Sequence, residues 1–351
     1  MASDSKHPVV CSMQKIAVIG VNFHGTPTEM NYRIAKKLYN GKKVIFVSIA
    51  RNKSVQTSKT HEMIDGKNKL LGFILLTEKI FELIVKRVKV FHFFITGETV
   101  TNTFLYSIIK FFGGKVICTV SSESQKSTPH SNYAIFYSKI EFNKYSLKEK
   151  NGFYLPPTSF LPKGKETKRE KTCLFASVPF NQTQLRDHGI FKLIEEFGNK
   201  NLGFKLKILN RSKGAEKALA KKISLTKNPK NVILLNRSLS EKALAKEYAK
   251  AKILFIPFIS GNFPRSPLSA IEALSFGTPL ITTKNDISKI VSQHRAGIEI
   301  KNFEEINPAI KVINANYKIF SKNAKKLFQK QFSNKFFNQS KKAFLKRVLF
   351  E

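Results

Sequence analysis

The chain has 351 residues, which is enough for about two domains of ordinary size. Hydrophobic residues make up 42% of the chain and aromatic residues 11%, so the composition is that of a folded globular protein and excludes wholesale disorder. Lys and Arg number 61 against 24 Asp and Glu, and the formal net charge of +37 favours phosphates, nucleic acid or anionic lipid headgroups as partners.

The first half of the chain alternates apolar strands with helical patterns. Lys15–Gly20 and Lys43–Ser48 are short runs that are apolar on both faces, and a helical pattern ending near Leu38 lies between them. This arrangement is typical of parallel strands covered by helices on both sides. The same alternation predicts strands at 88–95, 115–120 and 133–137, and a helix at 102–112.

A proline-rich stretch interrupts the alternation. Three prolines and a charge run lie between Phe153 and Glu170, a composition that predicts a linker with no residue inside a core. After it, the pattern predicts strands at 172–178, 204–210, 232–235, 253–257 and 280–283, and helices at 189–197, 214–223, 240–251 and 270–275.

We therefore predict an α/β protein with two Rossmann-like, doubly wound domains that face a cleft. The predicted divisions are a first domain at 1–158, a linker at 159–171, a second domain at 172–325 and a basic amphipathic helix at 326–351. In the last helix Phe and Leu recur among Lys at near-helical spacing, which predicts that it crosses back to the first domain. Docking on anionic lipid is the alternative.

The cysteines and the ends of the chain indicate the compartment. Cys11, Cys118 and Cys173 have no paired spacing, which predicts reduced and buried thiols. The first residues lack the pattern of a signal peptide, and no apolar run is long enough to cross a bilayer. We expect a cytoplasmic protein, with peripheral attachment to the inner membrane face as a further option.

Several common chemical motifs are absent. The sequence has no G-x-G-x-x-G after the first strand and no G-x-x-x-x-G-K-[ST], which disfavours a dinucleotide or ATP as a ligand. It also has no H-E-x-x-H and no paired cysteines, so we expect neither a catalytic metal nor a bound cofactor. The remaining place for a ligand is the carboxyl end of the parallel strands.

The most informative segment is 262–283, which contains the string E-A-L-S-F-G-T-P-L-I from Glu272 onward. It resembles the donor-binding motif of retaining glycosyltransferases with the GT-B fold, of the large family-four type. The resemblance implies that Glu272 holds the ribose hydroxyls of a nucleotide diphosphate sugar. It further implies that the backbone of Phe263, Pro264 and Ser266, just before the helix, contacts the diphosphate.

The chemistry of these residues suits such a donor. A carboxylate accepts hydrogen bonds from two vicinal hydroxyls, and a helix N-terminus beside Arg265 attracts an anion. The alternative for Glu272 is an exposed carboxylate in the first helical turn, favoured only by the helix dipole.

The resemblance extends to the loop before the helix at 189–197. Val178 and His188 stand where the family has an Arg and a Lys for the diphosphate, and Arg186 in the same loop is the candidate replacement. An exposed loop arginine without a ligand is the alternative for Arg186.

The first domain offers weaker candidates for catalysis. His24 and Gly25 lie in the loop after the first strand, and the resemblance implies that this loop faces the donor. Ser121 and Glu123 follow the strand at 115–120, where the family commonly has a catalytic-region His. His92 lies on an apolar strand, so we interpret it as a hydrogen-bonded core residue rather than a base.

Together with the absent metal motifs, the resemblance implies a glycosyltransferase that is retaining, independent of metal and supplied by a UDP- or GDP-sugar. The acceptor is expected to be a glycan, a lipid or another molecule, and an anionic membrane surface is a further candidate partner. A non-catalytic GT-B relative that binds polyanions or anionic membrane is the alternative function, and a nucleic-acid binder is the third. Specific nucleic-acid recognition is not expected, because the basic residues are mostly Lys without interleaved aromatic motifs. An A/T-rich genome is the competing explanation of the high charge.

Overall fold

The structure is a computed structural model, and it describes residues 15–21, 30–50, 61–65, 68–94, 100–120, 130–146, 151–162, 167–176, 182–210, 213–237, 239–259 and 267–350. The described residues form two parallel β-sheets, of seven and six strands, with helices between most successive strands. The predicted α/β class is confirmed.

The seven-stranded sheet contains strands β1 to β7, and four helices lie between them in the chain. The strands are β1 Lys15–Val21, β2 Lys43–Ala50, β3 His61–Asp65, β4 Val90–Phe94, β5 Lys115–Val120, β6 Tyr133–Phe136 and β7 Gly152–Tyr154. The helices are α1 Met30–Leu38, α2 Lys69–Val85, α3 Val100–Phe111 and α4 Lys139–Ser146.

The six-stranded sheet contains strands β8 to β13. These are β8 Glu170–Phe175, β9 Lys205–Asn210, β10 Val232–Asn236, β11 Ala251–Ile256, β12 Leu280–Thr282 and β13 Gly297–Glu299. The helices are α5 Gln182–Asp187, α6 Ile190–Asn199, α7 Lys213–Ser224, α8 Glu241–Lys250, α9 Leu268–Ser275, α10 Asp286–Gln293, α11 Ile306–Ala315, α12 Tyr317–Leu327 and α13 Asn334–Phe350. Short 3-10 turns lie at Pro229–Asn231 and Phe303–Glu305, and a π-helical turn lies at Phe328–Phe332.

Both sheets have the doubly wound order of strands. The first runs β3-β2-β1-β4-β5-β6-β7 and the second runs β10-β9-β8-β11-β12-β13, so the direction of winding reverses once in each. The strands around each reversal are buried and apolar, with Ile16 to Ile19 and Cys173 to Phe175 completely shielded from solvent. A parallel sheet needs such strands because helices cover both of its faces.

The proline-rich stretch is more closely packed than the sequence predicts. Leu155 and Thr158 are buried, and Leu161 belongs to the apolar core around β11. Arg169 donates hydrogen bonds to the carbonyl oxygens of Tyr248 and Ala251, at 2.9 and 2.7 Å. The prediction that this stretch contributes nothing to a core is therefore wrong, because its few apolar side chains fill spaces that neighbouring elements leave.

Packing divides the chain into two compact units. The first contains Met1–Thr119, Ser127–Ala134 and Leu345–Glu351, and the second contains Val120–Lys126 and Ile135–Phe344. The last turns of α13 thus belong to the unit that the beginning of the chain builds, and Lys115 Nζ donates to the carbonyl oxygen of Val348 at 2.9 Å. This confirms that the C-terminal helix returns to the first domain.

Two further features bear on the sequence analysis. Cys118 and Cys173 are buried and form no disulfide, as predicted, while Cys11 lies outside the described residues. Burial raises the pKa of the Cys173 thiol well above its ordinary value. Among the described helices, none combines the length and the apolar character that crossing a membrane requires.

Candidate functional site

The second sheet presents a ligand-binding position where its winding reverses. β8 and β11 are neighbours there, and β11 pairs with β12 on its other side. In open parallel sheets the helices that follow two such strands leave on opposite faces, which opens a crevice at the carboxyl ends. The segments that follow β8, β11 and β12 therefore form the candidate site.

The turn between α5 and α6 is fixed against the segment that follows β11. Gly189 has φ of 67° and donates its N–H to the carbonyl oxygen of Arg186 at 2.8 Å. Ile259 N donates to the carbonyl oxygen of Asp187 at 2.7 Å. The backbone of Gly189 lies directly against Pro257, which leaves no room for a side chain. Glycine is required at this position both by the left-handed conformation and by the close approach.

The same segment is fixed from the side of β12. Thr282 Oγ1 donates to the carbonyl oxygen of Ile256 at 3.1 Å, and Thr283 Oγ1 donates to that of Phe258. Asn285 Nδ2 donates to Thr282 Oγ1 at 2.8 Å, which orients the threonine. Residues 256–259 are thus held by hydrogen bonds from both neighbouring loops. A binding segment supported in this way is positioned before any ligand arrives.

Two of the predicted donor-binding residues lie in the turn before α6. His188 packs its ring against Phe258, with centroids 4.9 Å apart and planes at 73°. Arg186 is exposed in the last turn of α5. The turn that contains both residues therefore lies beside the fixed segment after β11. The contact between His188 and Phe258 could not be predicted from the sequence, because about 70 residues separate them.

Glu272 is buried, with 3% of its surface exposed, and is the fifth residue of α9. The alternative interpretation, an exposed carboxylate in the first turn, is wrong on both points. Burying a carboxylate costs free energy unless hydrogen bonds compensate, so an inward-facing Glu on this helix needs partners. Its proposed role in holding ribose stays a prediction.

The helix N-termini at this edge differ in how their backbone N–H groups are satisfied. Gly189 precedes α6 and Pro267 precedes α9, and neither of these N-cap residues supplies a side-chain hydrogen bond to the first turn. Asn285, by contrast, closes a complete capping box with Ser288 at the start of α10. Uncapped N–H groups and the helix dipole together attract anions. Among these three helices, α6 and α9, which follow β8 and β11, have that capacity.

The other predicted site residues lie outside the described residues. These are His24, Gly25, Ser121, Glu123, Phe263, Pro264, Arg265 and Ser266. Their chain positions still relate them to described elements, because 22–29 follow β1, 121–129 follow β5 and 260–266 lie between β11 and α9. The roles predicted for them stay predictions.

His92 occupies the interior of the first sheet. It is completely buried. Its Nδ1 shares a hydrogen bond with Tyr39 Oη at 2.8 Å, and its Nε2 shares one with Thr119 Oγ1 at 2.6 Å. Burial lowers its pKa from 6.5 to about 3, so the ring is neutral at physiological pH. The interpretation of His92 as a hydrogen-bonded core residue is confirmed. Within the described ranges, no group of His, Cys, Asp and Glu side chains has the arrangement of a metal site.

Sequence reasoning missed the residues that support the site. Phe258, Thr282, Thr283 and Asn285 each contact the segment after β11 or the turn before α6. The segment 262–283 ends with the two threonines, but nothing in their spacing indicates that they donate to the end of β11 and to the segment after it. Such contacts depend on which strands are neighbours, a relationship that only the folded sheet defines.

Comparisons with known proteins find a family match within the second unit. Residues 186–315 match the model of the family Glycosyl transferases group 1. The matched segment begins at Arg186 and includes the candidate residues His188 and Glu272. The resemblance that the sequence analysis found on the string after Glu272 is confirmed over this part of the chain. No curated protein matches the sequence significantly.

Solved structures extend the likeness to the whole fold. A sucrose-phosphate synthase from Thermosynechococcus elongatus is 17% identical with a TM-score of 0.71, and the alignment covers 96% of this chain and 99% of that chain. A glycosyltransferase from Rickettsia africae is 12% identical with a TM-score of 0.66, covering 96% and 98%. The lipopolysaccharide outer core galactosyltransferase WaaB is also 12% identical with a TM-score of 0.66, covering 95% and 100%. These similarities confirm the GT-B fold.

Proposed function

We propose that the protein is a glycosyltransferase that moves a sugar from a nucleotide diphosphate sugar to a glycan, a lipid or another acceptor. We further propose that the reaction retains the anomeric configuration, needs no metal ion and uses a UDP- or GDP-sugar. The observation that carries the proposal is the buried Glu272 on α9, within the segment that matches group 1 glycosyltransferases.

The second unit supplies the donor site in this proposal. Glu272 accepts hydrogen bonds from the ribose hydroxyls, which a buried carboxylate with two oxygens is suited to do. The diphosphate lies at the starts of α9 and α6 in this proposal, where the N-cap residues Pro267 and Gly189 supply no side-chain hydrogen bond. Arg186 adds a planar, permanently charged group at the mouth of α6.

The proposed mechanism depends on stabilising the leaving group. As the bond from the anomeric carbon to the diphosphate breaks, negative charge grows on the phosphate oxygens and positive charge on the sugar ring. Fixed donors meet growing negative charge without having to reorganise, and this is the largest contribution to many enzymatic rate enhancements. The uncapped helix N-termini, Arg186 and Arg265 supply those donors, and no step requires a cation from solution.

The segments that follow strands of the first sheet supply the acceptor side in this proposal. His24 follows β1 and Ser121 and Glu123 follow β5, and the two strands are parallel members of one sheet, on either side of β4. Segments that follow parallel strands leave from the same edge of the sheet. We propose that His24 contacts the substrate and that Ser121 and Glu123 lie where catalysis takes place.

A donor panel tests the proposed function. Purified protein is incubated with UDP-, GDP-, ADP- and dTDP-sugars in the presence of a metal chelator, and released nucleoside diphosphate is measured together with thermal shifts. We expect one nucleotide to stabilise the protein and its sugar to be hydrolysed or transferred, with retained configuration in the nuclear magnetic resonance spectrum of the product.

The panel also discriminates between the proposed function and its alternatives. Absence of any thermal shift and of any released diphosphate contradicts the glycosyltransferase and favours the non-catalytic relative that binds polyanions. Salt-sensitive retention on a nucleic-acid column under those conditions favours the third candidate, which the net charge of +37 permits. If activity requires added Mg²⁺, that result contradicts only the proposed metal independence and leaves the rest of the proposed function standing.

A further inference from the structure

A row of lysines lies along the amino edge of the first sheet. In parallel register Lys15 pairs with Lys43, and Val90 pairs with both Ile16 and Lys115, so Lys89 lies beside Lys15. The row therefore has Lys43, Lys15 and Lys89 in register, with about 5 Å between neighbouring strands. Lys115 begins the fourth strand one position further along, so its side chain lies on the opposite face of the sheet. Four like charges along one edge of the sheet make that edge strongly positive.

Two helices end at the same edge, and each leaves a large apolar side chain in solvent. α2 leads into β4 and α3 leads into β5, so both C-terminal ends lie beside the lysine row. Val85 at the end of α2 is 81% exposed, and Phe111 at the end of α3 is 84% exposed. Phe112 is also exposed, and its ring lies 5.9 Å from that of Phe81 on α2.

The same turn ends both helices, which fixes these side chains in place. After α2, Val88 N donates to Leu83 O at 3.0 Å and Arg87 has φ of 61°. After α3, Gly114 N donates to Ile109 O at 2.8 Å and Gly113 has φ of 72°. Both are Schellman turns. These hydrogen bonds fix the backbone at the C-terminal ends of α2 and α3. The exposure of Val85 and Phe111 is therefore a feature of the ordered fold.

The apolar surface continues along both helices. Leu71, Ile74, Phe81 and Val85 recur on α2 at spacings of three, seven and four residues, which places them on one face, and each is exposed. Phe104 continues the surface on α3, where its ring lies 6.0 Å from that of Phe73. A contiguous exposed apolar surface on a folded unit marks an interaction site.

Further basic residues surround the exposed ends. Lys86, Arg87 and Lys110 are exposed there, and Lys15 Nζ donates to the carbonyl oxygen of Lys86 at 3.0 Å. The last turns of α13 add the exposed Lys346, because Lys115 Nζ bonds Val348 O.

Acidic side chains also lie on α2 and on the neighbouring strand β3, and salt bridges to lysines offset most of their charge. Glu62 contacts Lys79, and Glu82 contacts both Lys79 and Lys86. Glu78 is the remaining acidic residue on α2 and is exposed. The basic groups therefore dominate at this edge.

We infer that this edge is the surface by which the protein docks on an anionic phospholipid bilayer. We name it the lysine edge and define it by Lys15, Lys43, Lys89, Lys115, Val85, Phe111 and Phe112. The apolar side chains insert below the headgroups and the lysines contact lipid phosphates, which supplies the two simultaneous contributions that stable peripheral binding requires. The inference does not depend on the proposed donor chemistry.

The chemistry of the edge favours a bilayer over other polyanions. Nucleic acid and polyphosphate offer charge but no hydrocarbon to cover Val85 and Phe111. A protein partner would cover them, but the row of four lysines would then require a matching row of carboxylates on that partner. A bilayer containing phosphatidylglycerol or phosphatidylserine meets both needs with one continuous surface.

Insertion is tested with a single fluorophore, because the sequence contains no tryptophan. Phe111→Trp places one indole at the lysine edge, and Leu225→Trp places one at an exposed apolar position, 73% exposed, in the second unit. Both variants are titrated with vesicles of phosphatidylcholine alone and of equimolar phosphatidylcholine and phosphatidylglycerol. We expect a blue shift and quenching by brominated lipid for Phe111→Trp with the anionic vesicles only. No shift, or an equal shift at Leu225→Trp, overturns the inference.

The contribution of charge is tested by co-sedimentation with the same vesicles. The double variant Lys89→Glu with Lys110→Glu reverses two charges at the lysine edge, and Lys242→Glu with Lys246→Glu reverses two exposed charges on α8. Because both pairs change net charge equally, they separate local docking from general attraction. We expect the first pair to lose about thirtyfold or more in partitioning and the second less than about threefold. Equal losses would overturn the inference, as would binding to neutral vesicles at the same strength.

The apolar contribution has its own variant. Val85→Ser with Phe111→Ser removes the two large apolar side chains that are most exposed among the described residues without touching the core, so circular dichroism is expected to stay unchanged. We expect partitioning to anionic vesicles to fall by about tenfold or more. Unchanged partitioning would show adsorption by charge alone and overturn the proposed insertion.

Discussion

The backbone of Gly189 lies so close to Pro257 that a β-carbon on the glycine would be 2.1 Å from the proline carbonyl oxygen. Gly189 begins α6 and Pro257 follows β11, so this contact joins the two loops at the reversal of the second sheet. The ring contact between His188 and Phe258 follows directly from it. The candidate donor site thus depends on a position where only glycine fits.

Gly189→Ala is expected to destabilise the second unit by about 3 kcal/mol or more, through overpacking and the strained φ together. Gly203→Ala is the matched control, because Gly203 has the same φ of 67° in the same unit and nothing lies within 4 Å of its added β-carbon. It should cost about 1 kcal/mol. Denaturant unfolding measures both, and similar losses would contradict the importance of the contact.

Glu272→Ala is expected to weaken binding of the nucleoside diphosphate by tenfold or more, since it removes two charge-assisted hydrogen bonds worth about 1.5 to 3 kcal/mol each. Calorimetric titration of the folded variant measures the affinity, using the nucleotide that gives the largest thermal shift. Glu304→Ala removes an exposed carboxylate elsewhere in the unit and should leave affinity unchanged. Unaltered affinity in Glu272→Ala would refute the ribose role.

Arg186→Ala and Arg265→Ala are each expected to lower kcat/KM by about a hundredfold, because each removes a donor to the charge that grows on the diphosphate. The double variant should lose less than the product of the two, since both groups act on one charge. Steady-state kinetics with the preferred donor provide the measurement. Lys246→Ala, at an exposed position on α8, serves as the control, and near-normal turnover in both arginine variants would leave backbone N–H groups as the diphosphate site.

Arg169→Lys is expected to lower the free energy of unfolding by about 2 kcal/mol, because an ammonium group cannot reproduce the planar arrangement of donors. The guanidinium bonds Tyr248 O, Ala251 O and Thr278 Oγ1, the last at 2.7 Å, and also Phe276 O. It therefore caps carbonyls at the ends of α8 and α9. Arg237→Lys, at an exposed position, should be neutral in the same melting experiment.

Because of His92, the free energy of unfolding is expected to decrease as the pH is lowered below about 6.5. Its pKa is lowered to about 3 in the folded protein, so the unfolded chain binds a proton that the folded protein does not. The free energy of unfolding should decline by up to about 1.4 kcal/mol per pH unit as the pH falls from 6.5 toward 3. Urea unfolding at about pH 7 and about pH 5 measures the decline. His92→Gln should reduce it, whereas His130→Gln, at an exposed position, should not.

The order of most strands and helices was predictable because burial on both faces imposes a continuous apolar run. β1, β5, β8 and β11 are such runs, and each appears at nearly its predicted position. β3 at His61–Asp65 was missed, since its short run alternates polar and apolar residues. α2 was also missed as a helix, because apolar side chains occupy all its faces and obscure the period on which helix prediction depends.

Within the candidate site, the sequence identified Glu272 as a candidate, because it belongs to a local string in which neighbouring residues constrain one another. It did not determine that Glu272 is buried, that Phe258 contacts His188 or that Thr283 donates to the segment after β11. Nor did it show that lysines at the starts of four separate strands form one row. Those relationships join residues that are distant in the chain, and only the order and register of the strands decide which of them become neighbours.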